Sequence, residues 1–199
     1  KEIAVVCIHC NSFVEAMRAN IVALQHKPMA GELVDKYIMD FTTGHPEYSK
    51  NRFFIEGDPA AILMVEFMEH DHEVVRTKAE GLVNDLRQQQ LGFAWPVLYN
   101  EQSKYAWDVR KAGLGLLRNI KGDAQPVNLI EDCAVTTDDL PAYVTDLQKV
   151  LEKHEVKASY YAHAAAGELH VEPIINLKSP EGVKKFRNIL ADTVQLVKK

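Results

Sequence analysis

Glu2-Ile3-Ala4-Val5-Val6-Cys7-Ile8, followed by Asn11-Ser12 and by Glu15 three places beyond the serine, is the stretch from which the fold is read. The nearly continuous β-branched run predicts a strand, and Ser-x-x-Glu is a capping-box pattern that starts a helix. Phe13, Met17, Ile21 and Leu24 keep helical spacing as far as Pro28. Working outward, Val34, Tyr37, Ile38 and Phe41 predict a second, short helix ahead of a turn-rich loop over 42–50. Arg52 to Glu56 and Ala61 to Met68 read as two extended segments around Gly57-Asp58-Pro59, the second the stronger strand. Asp71 is placed to cap a helix carrying Val75, Ala79, Leu82 and Leu86, and Ala94 to Tyr99 returns as a strand. The order is β, α, β, β, α, β, with its third element resting on the weakest run.

The second half repeats this plan. Val127 to Val135 reads as a strand, Thr137 onward as a helix carrying Leu140, Tyr143, Val144, Leu147, Val150 and Leu151, and residues 157–175 as two strands. Ser179 with Pro180 starts a last helix, and no closing strand follows. Between the halves, 101–117 predicts a helix with Trp107, Arg110, Leu114 and Leu117 on one face. The expected fold class is therefore α+β: two ferredoxin-like βαββαβ units with antiparallel sheets and helices on one face, the second unit truncated. They would span about 1–100 and 101–199 and pack as one domain, without an obvious internal sequence repeat.

The chain has 199 residues, 47% hydrophobic and 26% charged, with 8 Pro and 10 Gly, which excludes a disordered or fibrous protein. A net charge of −5 and the lack of dense Lys/Arg runs argue against a nucleic-acid or anionic-membrane surface. No apolar run reaches the roughly 20 residues of a membrane span, and no signal-peptide pattern precedes the first strand. Three cysteines cannot all pair within one chain, so a reducing, cytoplasmic setting is expected.

Candidate chemistry concentrates in Tyr160-Tyr161-Ala162-His163 through His170-Val171-Glu172-Pro173. A two-residue turn at Ala166-Gly167 would set His163 directly opposite His170 on one face, where two imidazoles can share a metal ion. Alternation adds Glu168 and Glu172 to that face. Two half-exposed cross-strand histidines are the plainer alternative, and the residues alone leave both open. Arg110 sits on an apolar stripe, where a guanidinium needs an anion such as a carboxylate, unless it lies along Trp107 and ends, more simply, in solvent or on Asp108, Glu131 or Asp132. Cys7-Ile8-His9-Cys10 lacks the further cysteines of a zinc site and reads as core. His26, His45 and His154 read as surface residues.

Five stretches occur together in order: Gly31-Glu32-Leu33-Val34-Asp35, Ala61 to Phe67, Trp107-Asp108-Val109-Arg110-Lys111-Ala112-Gly113, Glu131-Asp132-Cys133-Ala134-Val135, and Tyr161 to His170. With them the chain resembles the C-terminal, substrate-side domain of FAD-linked oxidases, the group of glycolate oxidase subunits, D-lactate dehydrogenases and D-2-hydroxyglutarate dehydrogenases. The resemblance implies an enzyme that oxidises a 2-hydroxy acid by hydride transfer to FAD, the flavin being bound by a separate N-terminal domain. It implies His163 and His170 as ligands of a divalent metal (Zn, or Fe/Mn), Glu168 and Glu172 as extra carboxylates beside it, and Arg110 with Lys111 as substrate-binding residues. A third ligand and a catalytic histidine would lie in a Gly-Glu-His motif beyond Lys199, so no catalytic residue is assigned within the chain, and the isolated chain is expected to be inactive. Implied partners are the small 2-hydroxy acid, the chain's own FAD-binding domain, and an electron acceptor or iron–sulfur domain. The chain departs from the family pattern in Ala164-Ala165-Ala166-Gly167-Glu168 at the hairpin, in Glu172 before Pro173, and in Thr136. The rival reading is a non-catalytic ferredoxin-like binding or dimerisation module.

Overall fold

The fold is seen in a computed structural model that describes residues 1–198, Leu114 by its backbone alone. The first unit runs β1 (Glu2–Cys10), α1 (Phe13–Gln25), β2 (Ala30–Asp35), α2 (Lys36–Phe41), β3 (Ala61–Glu69), α3 (His72–Gln88) and β4 (Val97–Tyr99). Helix α4 (Glu101–Leu116) links it to β5 (Gln125–Pro126), β6 (Ile130–Ala134), α5 (Leu140–Lys153), β7 (Ala158–His163), β8 (Glu168–Ile175) and α6 (Pro180–Val197). The predicted starts hold. Ser12 Oγ accepts from Glu15 N at 3.1 Å, Asp71 accepts from Glu73 N and Val74 N, and Ser179 Oγ accepts from Gly182 N.

All pairings in the sheet are antiparallel, in the order β4-β1-β3-β2-β7-β8, with β5 and β6 both on β8. The first unit thus has the ferredoxin-like order, and β2 joins it to the second through Leu33↔Ala162 and Val34↔Tyr161. Two cores follow from strand alternation. Ala4, Val6, Ile8, Leu63 and Val65 point towards α1, α3, α5 and α6, so these four helices share one face, as expected of the two units, whereas α2 and α4 do not lie on it. Val5, Cys7, Ile62 and Met64 point the other way, where Ile38 and Met39 of α2 and Ala106 and Val109 of α4 cover them. The continuous apolar run of β1 reflects burial on both faces. Of the stripe read on α4, Leu114 lies outside the described side chains.

In the second unit the strand expected over 127–135 begins only at Ile130 and the helix expected from Thr137 begins at Leu140, and in the first unit a whole element differs from the sequence reading. The second strand is 30–35, whereas 49–52 form a 3₁₀ turn and 52–56 form no strand. Gly31 and the two carboxylates weaken the strand signal, and the apolar stripe from Val34 to Phe41 masks a switch from strand to helix at Asp35. Asp35 makes that switch. Its carboxylate is buried, accepting from Ile38 N across the start of α2 and from Tyr160 N of β7, each at 2.8 Å, and so ties the two units together. Burial pushes its pKa up to about 6.

The cysteine and histidine readings divide. Cys7 and Cys10 are buried, and His9 between them is satisfied, its Nδ1 2.9 Å from the Cys7 carbonyl and its Nε2 accepting from Glu56 N at 3.1 Å. His26 and His154, expected at the surface, are instead partly buried. His26 at the end of α1 bonds Asp85 of α3 at 2.8 Å, and His154 at the end of α5 bonds Asp192 of α6 at 2.7 Å. The same tie between the two helices of each unit is a structural repeat that the sequence does not display.

Candidate functional site

The candidate site lies on the sheet face opposite the paired helices, where α4 ends beside β2 and the hairpin β7–β8 follows. The hairpin register differs from the two-residue-turn expectation. Tyr161 opposes His170 and His163 opposes Glu168, because residues 164–166 form a 3₁₀ turn closed by Gly167 at φ 77°. The shift is two residues on a period of two, so both histidines stay on one face. Their rings lie 5.2 Å apart at 82°, and Tyr161 stacks on His170 at 4.6 Å.

Each histidine is held by a carboxylate through Nδ1. His163 Nδ1 lies 2.8 and 3.1 Å from the two oxygens of Glu32, and His170 Nδ1 lies 2.7 Å from Glu131 Oε2. An ionised carboxylate only accepts, so each Nδ1 carries the hydrogen and a neutral ring offers Nε2 as its lone-pair nitrogen. A histidine prepared to bind a metal is held in this way. Glu131, Asp132 and His170 each also place a ligand atom within 4.8 Å of one another, His170 being buried and Glu131 partly so. Both carboxylates lie at Nδ1 of His170, at 2.7 and 3.4 Å, so with the hydrogen on that nitrogen they hold the ring rather than share its ion, and the two free Nε2 atoms are what suit a divalent cation. Glu168, opposite His163, and Glu172 share the face but are not in that group. Glu172 accepts from Tyr161 Oη at 3.3 Å, and burial, then the nearby Glu131, holds its carboxyl above the usual range.

Arg110 meets none of its three expected partners. Its Nη2 donates to Glu32, with the two side chains 11% and 16% exposed, so Glu32 lies between Arg110 and His163. Arg110 Nε is buried without a hydrogen-bond partner, an orphan donor. One turn earlier, Trp107 Nε1 donates to Glu66 of β3 at 2.8 Å, so α4 is docked on the sheet by two carboxylates. Close approach is provided by Gly113, where a Cβ would lie 1.9 Å from Ile38 Cγ2 of α2. Lys111 is exposed on α4.

Sequence reasoning missed the site roles of Glu32, Glu131 and Asp132. Glu32 had one signal, its place in a stretch that resembles the family. Glu131 and Asp132 are neighbours that an unbroken strand would send to opposite faces. The register shifts between Ile130↔Val171 and Cys133↔Leu169, with Asp132 at φ 53°, so two residues of β6 stand against one of β8. That bulge brings both carboxylates to His170.

Comparison with known proteins follows the same lines. The family model described as FAD linked oxidases, C-terminal domain, matches residues 1–199. The chain is 26% identical over 188 residues to a D-2-hydroxyglutarate dehydrogenase of Pseudomonas putida, covering 90% of this chain and 19% of that protein. It is 26% identical over 201 residues to the enzyme of the same name from Escherichia coli, covering 95% and 20%. The chain thus spans about a fifth of the length of these curated relatives. Among solved structures, 4-ethylphenol oxidase from Gulosibacter chungangensis in its isoeugenol complex superposes with a TM-score of 0.63. That match has 11% identity and covers 98% of this chain and 43% of the oxidase, a likeness of fold.

Proposed function

The chain belongs to the family of C-terminal domains of FAD-linked oxidases, and from that premise we propose that it forms the substrate side of a flavoenzyme oxidising a 2-hydroxy acid to a 2-oxo acid. The observation that carries this reading is the convergence of Arg110, His163 and His170 on one sheet face, with Arg110 Nε buried and unpaired. A planar guanidinium with a spare buried donor suits a carboxylate, and holding it there orients the hydroxyl-bearing carbon. Lys111 adds positive charge at the rim for the same anion.

His163 and His170 would hold the divalent metal through Nε2, while Glu32 at Nδ1 of His163 and Glu131 with Asp132 at Nδ1 of His170 would hold the two rings in place. The metal would supply Lewis-acid polarisation of the substrate hydroxyl, and FAD would accept the hydride as that hydroxyl gives up its proton. The excess of carboxylates on this face, Glu32, Glu131, Asp132, Glu168 and Glu172, attracts a cation and would repel an uncompensated anionic substrate, which makes metal loading a condition of binding. The same reading includes the chain's own FAD-binding domain and an electron acceptor or iron–sulfur domain that reoxidises the flavin. A reducing cytoplasm suits the three free thiols, Cys7, Cys10 and Cys133. Among the described residues no helix is long and apolar enough to cross a membrane.

The test uses the full-length protein that carries this chain, followed by its visible spectrum on adding D-2-hydroxyglutarate, D-lactate or glycolate. The names of the relatives put D-2-hydroxyglutarate first. Bleaching of flavin bands by one acid, lost in His163→Ala together with bound metal, is the expected result. A protein without flavin that cannot be reconstituted with FAD would overturn the reading and leave a binding or dimerisation module.

A further inference from the structure

Among the described residues, Glu32 is the one carboxylate that touches both parts of the site, bonding the ring of His163 and the guanidinium of Arg110. We propose that Glu32 is a positioning residue shared by metal and substrate: it fixes His163 as the Nδ1–H tautomer with Nε2 free, and holds the Arg110 guanidinium by Nη2 so that its remaining N–H groups are left for the substrate carboxylate. This rests on the function proposed above.

The placement is built into the sheet. β2 and β7 pair at Leu33↔Ala162, so Glu32 and His163 occupy the next rung, with both carboxylate oxygens within 3.1 Å of the ring nitrogen. Because Glu32 has no proton to give, the bond to His163 has one polarity, and it selects the tautomer. Glutamine at this position removes that selection, since its amide group can accept from Nδ1–H or donate to a bare Nδ1. Burial raises the cost of the change. Glu32 and Arg110 are both largely shielded from water, and losing one charge leaves the other unpaired.

A purely structural strut would have the same contacts, and Glu66 supplies the comparison. Glu66 docks the same helix through Trp107 Nε1 on the same sheet face, but bonds no histidine. Glu32→Gln and Glu66→Gln therefore separate docking of α4 from control of His163.

The experiment is a long-range proton–nitrogen NMR spectrum of the 199-residue chain labelled with ¹⁵N-histidine, with His163 assigned by its loss in His163→Gln, together with a calorimetric titration of the full-length protein that carries this chain with Co²⁺. The expected result is an Nδ1–H tautomer for His163 in the wild type and a tautomer mixture in Glu32→Gln. Co²⁺ affinity should be about 10- to 100-fold weaker in Glu32→Gln, the usual effect of removing such a partner, and unchanged in Glu66→Gln. An Nε2–H tautomer in the wild type overturns the proposal whether or not the variants fold. Equal loss of affinity in both variants overturns it too, by assigning the effect to helix docking or net charge. A wild type that shows the Nδ1–H tautomer but whose full-length protein binds no Co²⁺ refutes the metal reading above while upholding the bond from His163 to Glu32.

Discussion

Replacing Gly113 by Ala sets two known effects against each other. Alanine in a helix interior is worth about 1 kcal/mol over glycine, so propensity alone predicts stabilisation. The new Cβ, however, would lie 1.9 Å from Ile38 Cγ2 and 3.0 Å from the Ile38 carbonyl oxygen, where carbon contacts settle near 3.5–4.0 Å. Ile38 is fully buried, and the atom struck is a β-branch with little freedom to move, so α4 and α2 must separate by about 1.5 Å. Overpacking of this kind costs about 1–3 kcal/mol, here near the upper end, which leaves a net loss of about 1–2 kcal/mol. For a chain of this size that is a fall in Tm of about 2–8 °C. Arg110 is one turn away on the same helix, and a displacement near 1 Å is worth about 100-fold in kcat/KM of the flavin-loaded full-length protein. Differential scanning calorimetry and steady-state kinetics on Gly113→Ala read the two effects. A cycle with Ile38→Ala should show the double variant at least about 1 kcal/mol more stable than the sum of the single losses. A rise in Tm on Gly113→Ala would refute the packing argument, because it would mean that propensity outweighs the contact with Ile38.

The remaining predictions concern the hairpin and the buried carboxyl. Gly167→Ala asks a residue with a Cβ to adopt φ 77° and puts that Cβ 2.2 Å from the Val135 carbonyl oxygen. Urea unfolding should show a loss of about 1–3 kcal/mol, with weaker Co²⁺ binding by the displaced histidines, and an unchanged midpoint would contradict the turn geometry. Asp35 holds its proton to about pH 6, against a usual 3.8 that its unfolded form should follow, so the folded state binds more protons across that interval. Its contribution to stability is therefore fully present below pH 3.8 and is lost as the pH rises through 6, by at most roughly 3 kcal/mol. Asp35→Asn cannot accept from both Ile38 N and Tyr160 N, and should be less stable than wild type at pH 4 by an amount that shrinks towards pH 7. A difference that stays constant with pH would sink the buried-carboxyl account.

The elements whose cause is local were legible. Ser12, Asp71 and Ser179 cap the helices that their spacing announced, because a cap and the apolar stripe behind it lie within a few residues of each other. β2 was hidden because its stabilisation comes from elsewhere. Gly31 permits Ala165 of the hairpin turn to approach, Leu33 and Val34 serve opposite cores, and Asp35 bonds a strand 125 positions away. His26 and His154 looked like surface residues for the same reason, since each is tied to an aspartate on a helix far along the chain.

Periodicity separates what the sequence said of the site from what it left out. Side chains on a strand alternate, so an error of two residues in the hairpin register changes which residues face one another but not the face they occupy, and His163 and His170 stay neighbours on one face although they are not strand partners. An insertion of one residue has the opposite effect. The bulge at Glu131 and Asp132 breaks the alternation and delivers two carboxylates to a histidine that an unbroken strand would have shown only one. Glu32 obeys alternation, yet its partners Arg110 and His163 lie 78 and 131 positions away, on a helix and a strand that only the joined sheet brings together. The ligating and substrate-binding types were therefore visible as local patterns, whereas the carboxylates that hold them enter by a break in the period or by the joining of two units. If those carboxylates set the chemistry, exchanging Glu32 or Glu131 should alter metal binding more than exchanging Glu168 or Glu172, the two that the sequence offered.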